Sequence, residues 1–132
     1  MDHVIIESDG KLDGTGGGYK PRMGPGAGSS LQGGSYASLG GRATGDKYYG
    51  SLYVPRYPGS GGGSGSGGSW INITAGRYVQ VDGSLKANGE FASGAGSGGG
   101  LTITTPKLAG YGLIESSGGN ALKIESFALI TE

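Results

Sequence analysis

Between Trp70 and Gly89 the chain reads WINITAGRYVQVDGSLKANG, three short segments in which apolar and polar residues alternate. Ile71 and Ile73 alternate with Asn72 and Thr74, Val79 and Val81 flank Gln80, and Leu85 and Ala87 flank Lys86. A side-chain period of two gives each segment one apolar and one wet face, as in a half-buried strand. Asp82-Gly83 and Asn88-Gly89 supply corner residues that tolerate positive φ. Three strands, Trp70–Ala75, Tyr78–Val81 and Leu85–Ala87, turning within about 20 residues predict one rung of a parallel β-solenoid.

Self-similarity supports that reading. Asp9-Gly10-Lys11-Leu12-Asp13-Gly14 repeats the segment Asp82–Ala87 at an offset of 73, and Leu108–Gly118 repeats Val79–Gly89 at an offset of 29. The second match sets Ile114 on Leu85, Ser116 on Ala87 and Gly118 on Gly89; upstream, Leu101-Thr-Ile-Thr echoes Ile71-Asn-Ile-Thr. A further copy begins at Leu122-Lys-Ile-Glu-Ser-Phe-Ala-Leu-Ile. The expectation is that like residues stack on like in successive rungs. The fold expected is all-β: a parallel β-helix (β-solenoid) with long, ordered glycine-rich loop excursions, in a single module spanning residues 1–132. Residues 14–69 form the main excursion and residues 70–132 consecutive rungs.

Composition fits a solenoid better than a two-layer domain. Glycine accounts for 33 of 132 residues and only 34% of the chain is apolar. A solenoid needs fewer apolar residues, because each rung buries its inward side chains against its neighbours. Ten basic and ten acidic residues cancel without a basic stripe, which argues against nucleic acid as a partner. No run approaches the roughly 18 apolar residues of a membrane span. Cysteine is absent, which removes thiolate metal sites, disulfides and thiol catalysis. MDHVIIESDG lacks the basic and apolar regions of a signal peptide. That leaves a cytosolic protein or a piece of a longer secreted chain, and the second is preferred because the strand pattern runs up to Glu132 with no polar cap. The expected location is extracellular or at the cell surface.

Residues 14–69 hold most of the glycine and six of the eight tyrosines. A flexible linker would not carry Tyr19, Tyr36, Tyr48, Tyr49, Tyr53 and Tyr57 together with Leu39, Leu52 and Val54. The expectation is an ordered excursion lying close to the coil, with polyproline-II-like segments side by side as one route to order. Within it, Ser51–Pro58 is the expected extended, anchored piece, and Gly59–Ser69, which lacks any anchoring side chain, the expected mobile part. Residues 90–100 form a shorter excursion tacked down by Phe91. His3, the lone histidine, reads as a surface residue. No amphipathic helix pattern occurs.

Tyr-Gly-Ser-Leu-Tyr (Tyr49–Tyr53) runs into a glycine-serine tract, then a Trp/Ile strand, then Val-Asp-Gly-Ser-Leu-Lys-Ala-Asn-Gly. This order resembles the glycine-rich right-handed parallel β-helix (pectin-lyase-like) repeats of large extracellular and cell-surface proteins, across most of residues 4–119. The resemblance implies a fold and a surface location, with no reaction and no functional residues attached.

Parallel β-helices often host polysaccharide lyases and hydrolases, which use paired carboxylates or a carboxylate-held cation. Here the acids are isolated along the chain. Asp9 and Asp82 align in the repeat, but an Asx-type turn before each glycine explains both. The chain is therefore read as having no catalytic, cofactor or metal residues, and as a non-enzyme. The glycine tract lacks the aspartates of calcium-binding nonapeptide repeats and the Lys-Ser/Thr of a phosphate loop. Asn72-Ile73-Thr74 is a glycosylation sequon on an outward position. Tyr48, Tyr49, Tyr53, Tyr57 and Trp70 form an aromatic group that either pins the excursion to the coil or meets a glycan or partner.

These readings converge on a structural module of an extracellular fibre or surface assembly that associates with itself by end-to-end strand stacking. The candidate assembly strands carry Val4, Ile5 and Ile6 at one end and Leu122, Ile124, Leu129 and Ile130 at the other. The alternative is an adhesin module that binds glycans or a receptor; a polysaccharide-active enzyme ranks behind both.

Overall fold

The computed structural model describes residues 2–45, 47–119 and 127–131, and for 127–131 the backbone alone. Nine strands and no helix occur among the described residues. They are β1 (His3–Ile6), β2 (Lys11–Asp13), β3 (Ile71–Thr74), β4 (Tyr78–Val81), β5 (Ser84–Lys86), β6 (Leu101–Thr105), β7 (Leu108–Ala109), β8 (Leu113–Glu115) and β9 (Phe127–Thr131). Every pairing is parallel, and every strand pairs with the strand three places along. The result is three three-stranded sheets, β1-β4-β7, β2-β5-β8 and β3-β6-β9.

The registers are those of the internal repeat. Leu12 pairs with Leu85 and Leu85 with Ile114; Val79 pairs with Leu108; Ile71 and Ile73 pair with Leu101 and Ile103. Like residues thus form columns, Leu12–Leu85–Ile114 and Val4–Val79–Leu108 among them. Val79, Leu85 and Leu101 are fully buried, and one cluster joins them to Ile6, Ile73, Val81 and Ile103. A one-residue slip would turn each of these outward, so the apolar columns hold the register. Strands of two to five residues are short, and their stability comes from this shared core.

The corners contribute side-chain ties between copies of the repeat. The Asp82 carboxylate accepts from the Gln80 amide at 2.6 Å and from the backbone N–H of Tyr111, 29 residues on, at 3.1 Å. The Asn88 side chain likewise accepts from the N–H of Ser117, also 29 residues on, at 2.9 Å. This corrects the Asx-turn reading of Asp82: its carboxylate bridges to the next copy of the corner, between β7 and β8, rather than to its own turn. Asp13 does make such a local bond, accepting from Thr15 N–H at 2.9 Å. The Thr15 side chain first, and this backbone bond second, hold the Asp13 carboxyl below the ordinary range.

The glycine-rich segments are part of the hydrogen-bonded body. Gly18 N–H donates to Gly67 O and Gly67 N–H to Tyr19 O; Tyr19 N–H donates to Gly59 O and Gly59 N–H to Gly68 O; Gly68 N–H donates to Ser97 O and Ser97 N–H to Ser60 O, all at 2.8–3.1 Å. The segments at 59–60 and 67–68 therefore each bond to three neighbours, one more than a strand has in a flat sheet. Gly59–Gly63 and Gly65–Gly68 are buried. The expected mobility of Gly59–Ser69 is thus wrong, because backbone hydrogen bonds, together with those of Ser60, Ser66 and Ser69, anchor it. A Cβ at Gly67 would fall on the Gly59 carbonyl oxygen, and one at Gly63 on that of Ser30. Only glycine permits approaches this close.

Two smaller expectations also change. Ser51–Pro58 is bent rather than extended, with Leu52, Tyr53 and Val54 exposed. It is held at Pro55 O, which accepts from the Thr102 hydroxyl at 3.0 Å, and at Tyr57 O, which accepts from Gly100 N–H at 3.0 Å. Phe91 is 80% exposed and tacks nothing down. Its neighbour Glu90 does so instead: the Glu90 carboxylate accepts from Ser66 N–H at 3.0 Å, the bond that lowers its titration.

Candidate functional site

The aromatic group divides into packed and free members. Tyr36, outside the group expected from sequence, is its centre and is only 1% exposed. Tyr49 meets the Tyr36 ring edge-on at 5.0 Å between centroids, and Tyr57 meets Tyr49 at 6.3 Å. Tyr57 N–H donates to the Tyr36 hydroxyl at 3.3 Å. The Tyr49 hydroxyl donates to Pro58 O at 2.5 Å and accepts from the Ser60 hydroxyl at 3.0 Å, while Ser60 Oγ accepts from Gly26 N–H at 2.9 Å. Burial pushes both the Tyr36 and the Tyr49 phenols above their ordinary range. Tyr49 and Tyr57 therefore knit the excursion to itself rather than to the strands, through two partners within it, Tyr36 and Ser60, that nothing local in the sequence marks.

Tyr48, Tyr53 and Trp70 lie largely in solvent at 55%, 85% and 49% exposure. The indole of Trp70 lies beside Gly100, near Pro55 and the Tyr57 carbonyl. The structure thus brings Trp70 and the Tyr57 carbonyl together at Gly100, just before β6, and leaves the Tyr53 ring exposed.

The strand edges form the second candidate. β1 and β2 each pair on one side only among the described strands, as do β3, β7, β8 and β9. At the β1–β2 edge Ile5 and Leu12 are about half exposed. A shallow cleft of about 360 Å³ lies there, lined by Ile5, Ile6, Glu7, Asp9, Gly10, Lys11 and Leu12. At the opposite edge Leu113 is half exposed and Tyr111 stands fully in solvent. Val4 is half-buried and Ile6 nearly closed off. Leu129 and Ile130 lie in β9, opposite Ile103 and Thr104 of β6; Leu122 and Ile124 fall outside the described residues.

No protein-family model, curated protein or solved structure matches the chain. Its function has to be argued from its own residues.

Asn72 is exposed on β3, with Thr74 exposed two residues on, so the sequon faces outward as expected. His3 stacks on Tyr78 at 5.1 Å and lies 3.6 Å from the Asp2 carboxylate, at the surface. Among the described residues no three His, Asp or Glu side chains converge on a point that would hold a metal ion. The β2–β5 register keeps the offset of 73 that aligns Asp9 with Asp82, whereas the β1–β4 register is offset by 75, because four residues (Glu7–Gly10) separate β1 from β2 where two (Asp82-Gly83) separate β4 from β5. No helix among the described residues is long and apolar enough to cross a membrane.

Proposed function

We propose that the three sheets are the three faces of one parallel β-helix, and that the chain is a structural module of an extracellular fibre or surface layer. Copies join end to end, the β7–β8–β9 edges of one adding to the β1–β2–β3 edges of the next. The observation that carries this is the state of the column ends. Leu12–Leu85–Ile114 is closed in the middle, where Leu85 is fully buried, and open at the top, where Leu12 is 44% exposed. A second copy's Ile114 set on Leu12 would continue the column and the hydrogen-bond ladder together. Such a contact is heterologous and does not close, so it propagates into a filament.

The surface location follows from the resemblance to glycine-rich pectin-lyase-like repeats, and no reaction is assigned. Negative-stain electron microscopy and sedimentation across a concentration series test the assembly. The wild type should form filaments one coil wide, and Leu12→Lys, which sets a charge on the open column end, should stay monomeric with an unchanged circular dichroism spectrum. A wild type that remains monodisperse, or a Leu12→Lys variant that assembles as well, overturns the reading.

A further inference from the structure

The charge balance of the chain conceals a strong asymmetry. Between β2 and β3 lie five cations, Lys20, Arg22, Arg42, Lys47 and Arg56, against one acid, Asp46, an excess of four. The other five cations are matched against nine acids. The glycine-rich excursion is therefore basic and the remainder of the chain acidic. All five of its cations are exposed.

Two of these cations are sequence neighbours of the tyrosine stack. Lys47 and Tyr48 lead into Tyr49, and Arg56 leads into Tyr57, whose ring touches that of Tyr49. Tyr48 and Tyr57 are 55% and 54% exposed. The backbone beneath is held by Tyr57 N–H on the buried Tyr36 hydroxyl and by the Tyr49 hydroxyl on Pro58 O. A face whose backbone is already fixed loses less entropy on binding. We infer that this face binds an acidic polysaccharide, with ligand carboxylates or sulfates meeting Lys47 and Arg56 and sugar faces resting on Tyr48 and Tyr57. This is a second activity, independent of end-to-end association.

Charge spacing selects the ligand class. The five cations are dispersed singly, with no two adjacent in sequence. Duplex DNA carries a charge every ~1.7 Å and is met by continuous basic stripes. A uronic-acid polymer carries at most one carboxylate per sugar, with apolar ring faces between, which suits isolated cations next to amphipathic rings. The acidic remainder of the chain repels a dense polyanion laid across the whole molecule.

The test is binding of the full chain to immobilised hyaluronan, polygalacturonate and heparin, with dextran as the neutral control and duplex and single-stranded DNA as competitors. Retention on at least one acidic glycan, weakening as salt rises, is expected. Lys47→Ala/Arg56→Ala should lower that affinity roughly fivefold, from two exposed charge contacts, and Tyr48→Ala should lower it further. Arg77→Ala/Lys107→Ala, which removes exposed cations next to the sheets, should change nothing. Retention on none of the acidic glycans, equal retention on dextran, preference for DNA, or insensitivity to Lys47→Ala/Arg56→Ala in a protein of unchanged circular dichroism overturns the inference. Loss of filaments in Leu12→Lys with glycan binding intact would separate this activity from assembly.

Discussion

Replacing Gly67 by alanine adds one methyl group to the chain, and the structure places that methyl on the carbonyl oxygen of Gly59. Real Cβ atoms essentially never come within 3.0 Å of another heavy atom, so one of the two segments has to move. Neither is free to do so. Gly67 donates to Tyr19 O and accepts from Gly18 N–H, while Gly59 accepts from Tyr19 N–H and donates to Gly68 O. Displacement sacrifices about two buried backbone hydrogen bonds, at about 1 kcal/mol net each and more where a donor is left unsatisfied. Residual overpacking adds about 1–3 kcal/mol. The expected loss is about 3–5 kcal/mol, a large part of the 5–15 kcal/mol that holds a typical domain together. Urea unfolding followed by circular dichroism reads it as a fall in midpoint. Gly41→Ala is the matched control: nothing lies within 4 Å of its added Cβ and its φ is not positive. That change should be neutral or stabilise by about 0.4–1 kcal/mol through the unfolded chain. If Gly67→Ala lost less than about 1 kcal/mol, or the two variants behaved alike, the glycines would be acting through composition and not through close packing.

Three further outcomes follow from the same geometry. Leu85→Ala, at a fully buried column centre, should cost about 2–5 kcal/mol in urea unfolding, and Leu12→Ala, at the half-exposed end of that column, less than half as much. Asp82→Ala removes the bonds to Gln80 and to Tyr111 N–H; about 1–2 kcal/mol should be lost, and hydrogen exchange at the Tyr111 amide should accelerate. Burial holds the Tyr36 and Tyr49 phenols protonated above their ordinary range, so the folded chain keeps protons that the unfolded chain releases near pH ~10. Their contribution is fully present below about pH 10 and is lost as pH rises through the folded values. Absorbance at the phenolate band should show two late-titrating tyrosines whose ionisation coincides with unfolding, and Tyr49→Phe should remove one of them.

The strands were legible because their cause is local. Alternation at Ile71–Thr74 and Tyr78–Val81 marks a face wherever those residues sit, and the 29-residue echo of Val79 in Leu108 and of Leu85 in Ile114 is the pairing register itself. The first sheet was harder to read. Val4 pairs with Val79 and Leu12 with Leu85, and no single offset serves both, because the first corner is two residues longer. The aromatic site was half visible. Tyr49 and Tyr57 stand out in the sequence, yet their anchor, Tyr36, lies 21 residues before Tyr57 in a stretch whose neighbours give no sign of burial.

Side-chain pattern by itself determined that this chain makes short parallel strands stacked in columns, since period-two alternation and repeat spacing are both written in residue order. Tertiary structure alone decided the fate of the glycines. A residue with no side chain has the same sequence signature in a loose tether as in a packed segment, and the difference lies in which carbonyls its N–H groups meet. Gly59, Gly67 and Gly68 find theirs in each other, in Tyr19 and in Ser97, and those long-range partners turn a tract that reads as slack into buried, hydrogen-bonded backbone.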